Sequence, residues 1–130
     1  MALHISIIAP DRTVWDSNAE EVILPSSTGQ IGILRGHAPL LTALDIGVMR
    51  VRTDKEWTPI VLMGGFAEIE DDELTILVNG AEEGASINKE EAEQELEEMT
   101  ARFNEAETGK ERIQATQNLR KARARVQATT

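Results

Sequence analysis

The side chains with chemistry to offer are few: two histidines, an acidic run at Glu70-Asp71-Asp72-Glu73, two glycine-bearing stretches and a set of basic residues near the C-terminus. Nucleophilic catalysis needs a Ser, Thr or Cys with a general base in reach. Cysteine is absent, which also removes disulfides and thiolate metal sites. His4 falls on the polar phase of a strand and reads as a surface residue. His37 lies in a Gly-His-Ala-Pro loop, where a hydrogen bond to backbone is the commoner role than catalysis, although the ordinary pKa of imidazole suits either. Two isolated histidines do not make a histidine metal site. The acidic run lacks the alternating ligands and central glycine of a calcium loop and reads as a solvated turn. Gly29-Gln30-Ile31-Gly32 lacks the Lys-Ser/Thr of a phosphate loop, and neither it nor Gly64-Gly65 precedes a helix. No catalytic residue and no metal are therefore expected.

The basic set is the remaining lead. Arg112, Arg120, Lys121, Arg123 and Arg125 lie in a segment, residues 109–130, that carries six bases against one acid. The preceding segment, residues 87–108, carries eight acids against two bases. The first 86 residues hold 14 acids and five bases, and the whole chain has a net charge of −10. An acidic body argues against nucleic acid and against direct adsorption to anionic lipid, and no aromatic residues interleave the basic stripe. An acidic protein surface is the better target for it.

These residues must be positioned by two kinds of element. Up to about Glu83 the chain reads in short strand-like runs. Leu3, Ile5 and Ile7 alternate with His4 and Ser6, and Leu74, Ile76 and Val78 repeat the pattern. Pro25–Gly29, Arg35–Pro39, Thr53–Glu56 and Glu70–Glu73 read as turns and loops, with a bend at Gly64-Gly65. Close spacing without helical crossovers predicts an antiparallel β-sandwich or barrel of about eight to ten strands over residues 1–84. With two Phe, two Trp and no Tyr, its core must be aliphatic.

From Ile87 the period changes. Asn88 and Glu91 read as a capping box, and Thr108 with Glu111 as a second. Ala92, Leu96, Met99, Phe103 and Ala106 form one heptad stripe; Ala115, Leu119, Ala122 and Val126 form another. The spacing predicts an antiparallel two-helix hairpin over residues 87–130, with helices of about 88–107 and 109–127 meeting at Leu96, Met99, Phe103, Leu119 and Val126. The fold class is thus mainly β plus α. The alanine-rich seam is thin, and short helices are marginal on their own. The residues alone leave open a permanently folded hairpin and one that exchanges its acidic sibling for another acidic partner. The first ten residues lead directly into a strand, so no signal peptide is expected, and no apolar run approaches the roughly 20 residues of a membrane span.

Leu24-Pro25, Thr28-Gly29-Gln30-Ile31-Gly32-Ile33-Leu34 and Gly36-His37-Ala38-Pro39-Leu40-Leu41-Thr42 resemble the epsilon-subunit family of F-type, proton-translocating ATP synthases. Gly64-Gly65-Phe66-Ala67-Glu68-Ile69 and Leu74-Thr75-Ile76-Leu77 extend the resemblance, which covers the whole chain and looks most like the cyanobacterial and chloroplast branch. The resemblance implies a non-catalytic central-stalk subunit whose antiparallel β-sandwich of about ten strands grips the gamma subunit and stands on the c-ring. Gly29, Gln30, Ile31, His37, Ala38 and Pro39 would face the ring or its junction with gamma. It implies a hairpin that lies on the sandwich or extends along gamma. Extended, the basic residues Arg112, Arg120, Lys121, Arg123 and Arg125 would meet the beta and alpha subunits and block ATP hydrolysis. The protein would be peripheral, on the cytoplasmic or stromal face of an energy-coupling membrane such as the thylakoid.

One departure bears on nucleotide. Some relatives bind ATP through an Ile/Leu-Asp-x-x-Arg-Ala motif; here the aligned stretch is Ile87-Asn88-Lys89-Glu90-Glu91-Ala92. A carboxylate in place of the guanidinium repels phosphate, so ATP binding is expected to be weak or absent and no cofactor is expected. On residues alone, a free-standing sandwich adaptor with a coiled-coil-like tail fits as well as a rotor subunit; the resemblance favours the latter. A small hydrolase dependent on His37 fits least.

Overall fold

The computed structural model describes residues 3–130. Among them run eight strands: β1 (Leu3–Ala9), β2 (Arg12–Ala19), β3 (Glu21–Ser26), β4 (Gly29–Leu34), β5 (Leu40–Thr53), β6 (Glu56–Glu70), β7 (Glu73–Val78) and β8 (Ala81–Glu83). A single 3-10 turn at Gly84–Ser86 leads to α1 (Lys89–Glu105) and α2 (Gly109–Ala128). The strand anticipated from the start of the chain is seen from Leu3; Met1 and Ala2 lie outside the described residues.

Hydrogen bonding links the strands in the order β2-β1-β7-β6-β5-β3-β4, with β8 added to β6. All pairings are antiparallel except β1 with β7, which is parallel. The count falls below ten because runs that look separate in sequence are continuous. β5 and β6 are 14 and 15 residues long and pair along their whole length, from Leu40↔Ile69 to Thr53↔Glu56. Opposite strand alternation explains how one ribbon serves both layers of the sandwich. Near the first end Leu44, Ala67 and Ile69 point into the core, whereas near the hairpin turn Met49, Val51, Ile60 and Leu62 do. The inward phase changes around Asp45–Ile46, opposite Met63–Gly64, where Gly64 has φ +85°. Gly65 follows at φ +150°, and a Cβ there would lie 2.0 Å from the Leu77 carbonyl oxygen. Only glycine allows that approach.

The core is aliphatic. Leu3, Ile5, Ile7, Leu24, Ile33, Met49, Ile60, Leu62, Ile69, Leu74 and Ile76 are fully buried in one cluster. Each such side chain contributes about 1.5–3 kcal/mol relative to exposure. Two of the two-residue hairpin turns, Asp54-Lys55 and Asp71-Asp72, have positive φ at each residue, the type I′ geometry that matches strand twist. β2 is absent from the sequence reading, because Asp16, Ser17 and Asn18 hide its alternation. It is an edge strand, where polar residues are favoured.

Candidate functional site

The outer face of the first half of the ribbon is apolar and uncovered. Ile8 pairs with Leu77, Leu77 with Phe66 and Phe66 with Ala43, a row running across four strands. Leu41 extends it along β5 towards Pro39. The exposures of Ile8, Leu77, Phe66 and Leu41 are 38, 54, 56 and 65%. Contiguous exposed apolar rows of this kind mark interaction surfaces. Sequence reasoning missed it. The available signal was a second apolar phase, Ile8 beside Ile7 and Leu77 beside Ile76, which a strand buried on one side does not need.

The two stretches expected to face a ring leave opposite ends of β4. The turn is Ser27-Thr28; Gly29 and Gln30 are exposed residues of β4 itself, and Ile31 is half-buried against the core, paired with Leu24. A loop around Gly29–Ile31 is thus corrected to a strand start, because the β3–β4 pairing continues to Ser26↔Gly29. Ser27 N–H donates to the Ala43 carbonyl at 3.0 Å, which places this turn against β5. His37-Ala38-Pro39 is a true loop, and His37 Nδ1 lies 2.6 Å from the Ala38 carbonyl oxygen. The loop is tied to the β6–β7 turn, where Gly36 N–H donates to Asp72 Oδ1 at 2.7 Å. Ala38 and Pro39 are exposed and lead into the apolar row through Leu41.

His4 is held more tightly than a plain surface histidine. Its Nδ1 lies 2.8 Å from Glu73 Oε2 and its Nε2 lies 2.7 Å from Asp16 Oδ1. Carboxylates only accept, so both bonds require the doubly protonated ring. The Glu73 bond, then the Asp16 bond, raise the His4 pKa above its ordinary 6.5. A raised folded-state pKa stabilises below the unfolded value and loses that contribution as pH rises through the folded value. An NMR titration of His4 is expected to show a midpoint above 6.5 that falls in Glu73→Gln; a midpoint at or below 6.5 in the intact chain contradicts the clasp.

The hairpin packs on the second half of the ribbon. Val48 and Val61, flanked by Ile46 and Met63, meet Ile87, Ala92, Ala124, Ala128 and Val126. α2 therefore buries two faces: Ala115, Leu119 and Ala122 on the stripe expected to meet α1, and Ala124 and Ala128 towards the sheet. Leu96, Met99 and Phe103 are only half-buried, and Leu119 is buried. Val126, expected in the helix–helix seam, is half-buried and packs against the cluster that holds Ala92 of α1 together with Ile87, Val48 and Val61. Near the tip a cleft of about 390 Å3, lined by residues including Met99, Ala106 and Ala115, lies between the helices. Asn88 caps α1, its Oδ1 accepting from Glu91 N–H at 3.0 Å. Thr108 precedes α2 without a side-chain cap bond; its hydroxyl donates to Glu111 Oε2 at 3.3 Å.

The basic residues divide. Arg125 Nε and Nη2 reach Glu82 at 2.9 and 3.3 Å, and Nη1 reaches Glu95 at 2.8 Å. Arg112 lies over the Phe103 ring at 4.5 Å and donates to the Ala106 carbonyl. Arg120, Lys121 and Arg123 make no ion pair among the described residues, and Arg120 and Arg123 are exposed. The opposite charges of the helices are thus little used between them: Arg125–Glu95 is the one cross-helix ion pair among the described residues.

Residues 2–84 match the model for the ATP synthase delta/epsilon chain beta-sandwich domain, and residues 86–130 match that for its long alpha-helix domain. The chain belongs to the ATP synthase delta/epsilon-chain family. It is 78% identical over 130 residues to the chloroplastic ATP synthase epsilon chain of Guillardia theta, covering 100% of this chain and 99% of that one. It is 72% identical to the chloroplastic epsilon chain of Porphyra purpurea, covering 100% of this chain and 97% of the relative. The epsilon chain of Cyanothece sp. is 61% identical, with coverage of 98% and 95%. These likenesses place the chain in the chloroplast and cyanobacterial branch of ATP synthase epsilon chains. A Euglena gracilis mitochondrial ATP synthase structure contains a chain of the same fold, with TM-score 0.83, 21% identity and coverage of 95% of this chain and 78% of that one. A Tetrahymena thermophila mitochondrial ATP synthase structure contains another, with TM-score 0.65, 14% identity and coverage of 100% and 98%. As an epsilon-type chain it is a component of ATP synthase. No helix among its described residues is long and apolar enough to cross a membrane.

Proposed function

We propose that the chain is a non-catalytic rotor subunit: its sandwich binds the gamma subunit and rests on the c-ring, and its hairpin restrains ATP hydrolysis when it extends towards the beta and alpha subunits. The observation that carries the stalk half is the bare apolar row Ile8–Leu77–Phe66 with Leu41, which runs towards the His37–Pro39 loop, where Ala38 and Pro39 are exposed. The two fold neighbours belong to an F1/c-ring assembly and to a central stalk with c-ring, which supports the same placement. Membership of the chloroplast and cyanobacterial branch supports a peripheral position on the stromal or cytoplasmic face of the thylakoid. The inhibitory half rests on Arg120, Lys121 and Arg123, which the folded hairpin leaves without acidic partners among the described residues. Co-expression with a gamma subunit of the same branch tests the stalk half: the chain is expected to co-purify with gamma in equal amounts, and elution of the two apart contradicts it.

ATP has no place in this reading. Asn88 is occupied as the α1 cap, and Glu91 adds a negative charge beside it. Calorimetry is expected to show no saturable binding at millimolar ATP; tight binding contradicts the expectation.

A further inference from the structure

We propose that the apolar seat of the hairpin on the sandwich is locked by a latch in the last turns of α2, made of Arg125 clasping Glu82 and Glu95 and of Ala128 seated on Gly84, and that undoing either part releases the hairpin while the sandwich stays folded. The consequence for hydrolysis rests on the regulatory reading above; the latch itself does not.

Arg125 joins three elements. Its planar fork takes both oxygens of Glu82 on β8 and one of Glu95 on α1. The three side chains are 24, 31 and 37% exposed, so the cluster is partly shielded from solvent. The hydrogen bonds that Arg125 donates to Glu82 raise its pKa, in keeping with a charge stabilised where it lies.

The steric part adjoins it. A Cβ added to Gly84 would lie 2.5 Å from the Ala128 carbonyl oxygen and 2.9 Å from Pro59 Cγ. The first obstacle is helix backbone, so it moves only if α2 moves. Ala124 and Ala128 are small enough to bring α2 down on Val48 and Val61. Towards the hairpin tip a cleft lies between the helices, and Ile113 on α2 stands exposed. Packed interfaces of this kind are two-state rather than continuously deformable, so the loss of one contact set shifts a population.

The natural chain has no cysteine, so two can be introduced for labels, at Glu56 in the β5–β6 hairpin and at Gln117 on α2. Spin-label distances in the otherwise intact chain should give one narrow population. Gly84→Ala should add a longer, broad population, and Glu82→Gln should shift the docked-to-released ratio about tenfold towards release, in proportion to the loss of a charged, bidentate bond. Amide spectra of the sandwich should be retained in both. An unchanged narrow distance in either folded variant overturns the latch. Loss of the sandwich spectrum in Gly84→Ala together with an unchanged distance in Glu82→Gln overturns it as well. The same two variants assembled with the whole complex separate the latch from its consequence. Longer distances with slower ATP hydrolysis support both; longer distances with unchanged hydrolysis keep the latch and remove the hairpin's inhibitory role. Arg125→Gln is unsuitable for that assay, because Arg125 belongs to the basic set expected to act on the catalytic subunits.

Discussion

Phe66→Asp combined with Leu77→Asp is expected to weaken capture of the chain by the gamma subunit at least about a hundredfold, the cost of two central hot-spot side chains. The two residues are cross-strand partners on β6 and β7, and each exposes more than half its surface, 56 and 54%. Their side chains lie outside the core that holds Ala67 and Ile76, so the melting temperature should move little. Charge in the middle of an apolar contact leaves a carboxylate desolvated and unpaired, and this sets the sign and the size of the effect. Leu34→Asp is the control. Leu34 is 53% exposed but belongs to β4, away from the row. Capture that survives the double change, or that falls equally with Leu34→Asp, excludes the row as the docking face.

Changing Arg120, Lys121 and Arg123 together to Gln is expected to raise hydrolysis by the assembled complex about tenfold, provided each charge meets an acid on the catalytic subunits. Exposed pairs give about 0.2–1 kcal/mol each and desolvated interface pairs more, so three together account for such a factor. The folded hairpin should not feel the change, since none of the three makes an ion pair among the described residues. Within the basic set, Arg120, Lys121 and Arg123 therefore differ from Arg125, which the folded hairpin engages. Losing the three unpaired cations relieves inhibition, whereas losing the carboxylate that holds Arg125 favours the extended form and deepens it. Labelled hairpin distances that change in the triple variant would contradict this division.

What the sequence shows of this fold follows the range over which each signal acts. Leu3, Ile5 and Ile7, or Leu74, Ile76 and Val78, declare a buried face because alternation is local. Asp54-Lys55 and Asp71-Asp72 declare turns because each is a short polar break between apolar runs, and Asn88 declares a cap because its partner, Glu91, is three residues away. The parallel pairing of β1 with β7 is not visible, since it joins residues about 70 positions apart. Nor is the continuity of β5 and β6: the Gly64-Gly65 bend reads as a break until the full register shows the strand running through it. Ala124 and Ala128 escaped the helical stripe because alanine carries no preference for one face until a neighbour covers it. Glu82 lies 43 residues before the arginine it holds, so the latch was as hidden as the parallel pair. The apolar row was half legible: Ile8, Phe66 and Leu77 were in view as hydrophobic residues, but their alignment on one surface is a property of the sheet.

The sandwich core draws its buried residues from the strands alone, so a chain ending at Ser86 retains that core. ATP hydrolysis by the assembled complex, measured with the intact chain and with the chain ending at Ser86, tests the division into fastened platform and movable restraint most directly. The account predicts equal incorporation of both chains and several-fold faster hydrolysis with the shorter one. Equal incorporation with equal rates would contradict it.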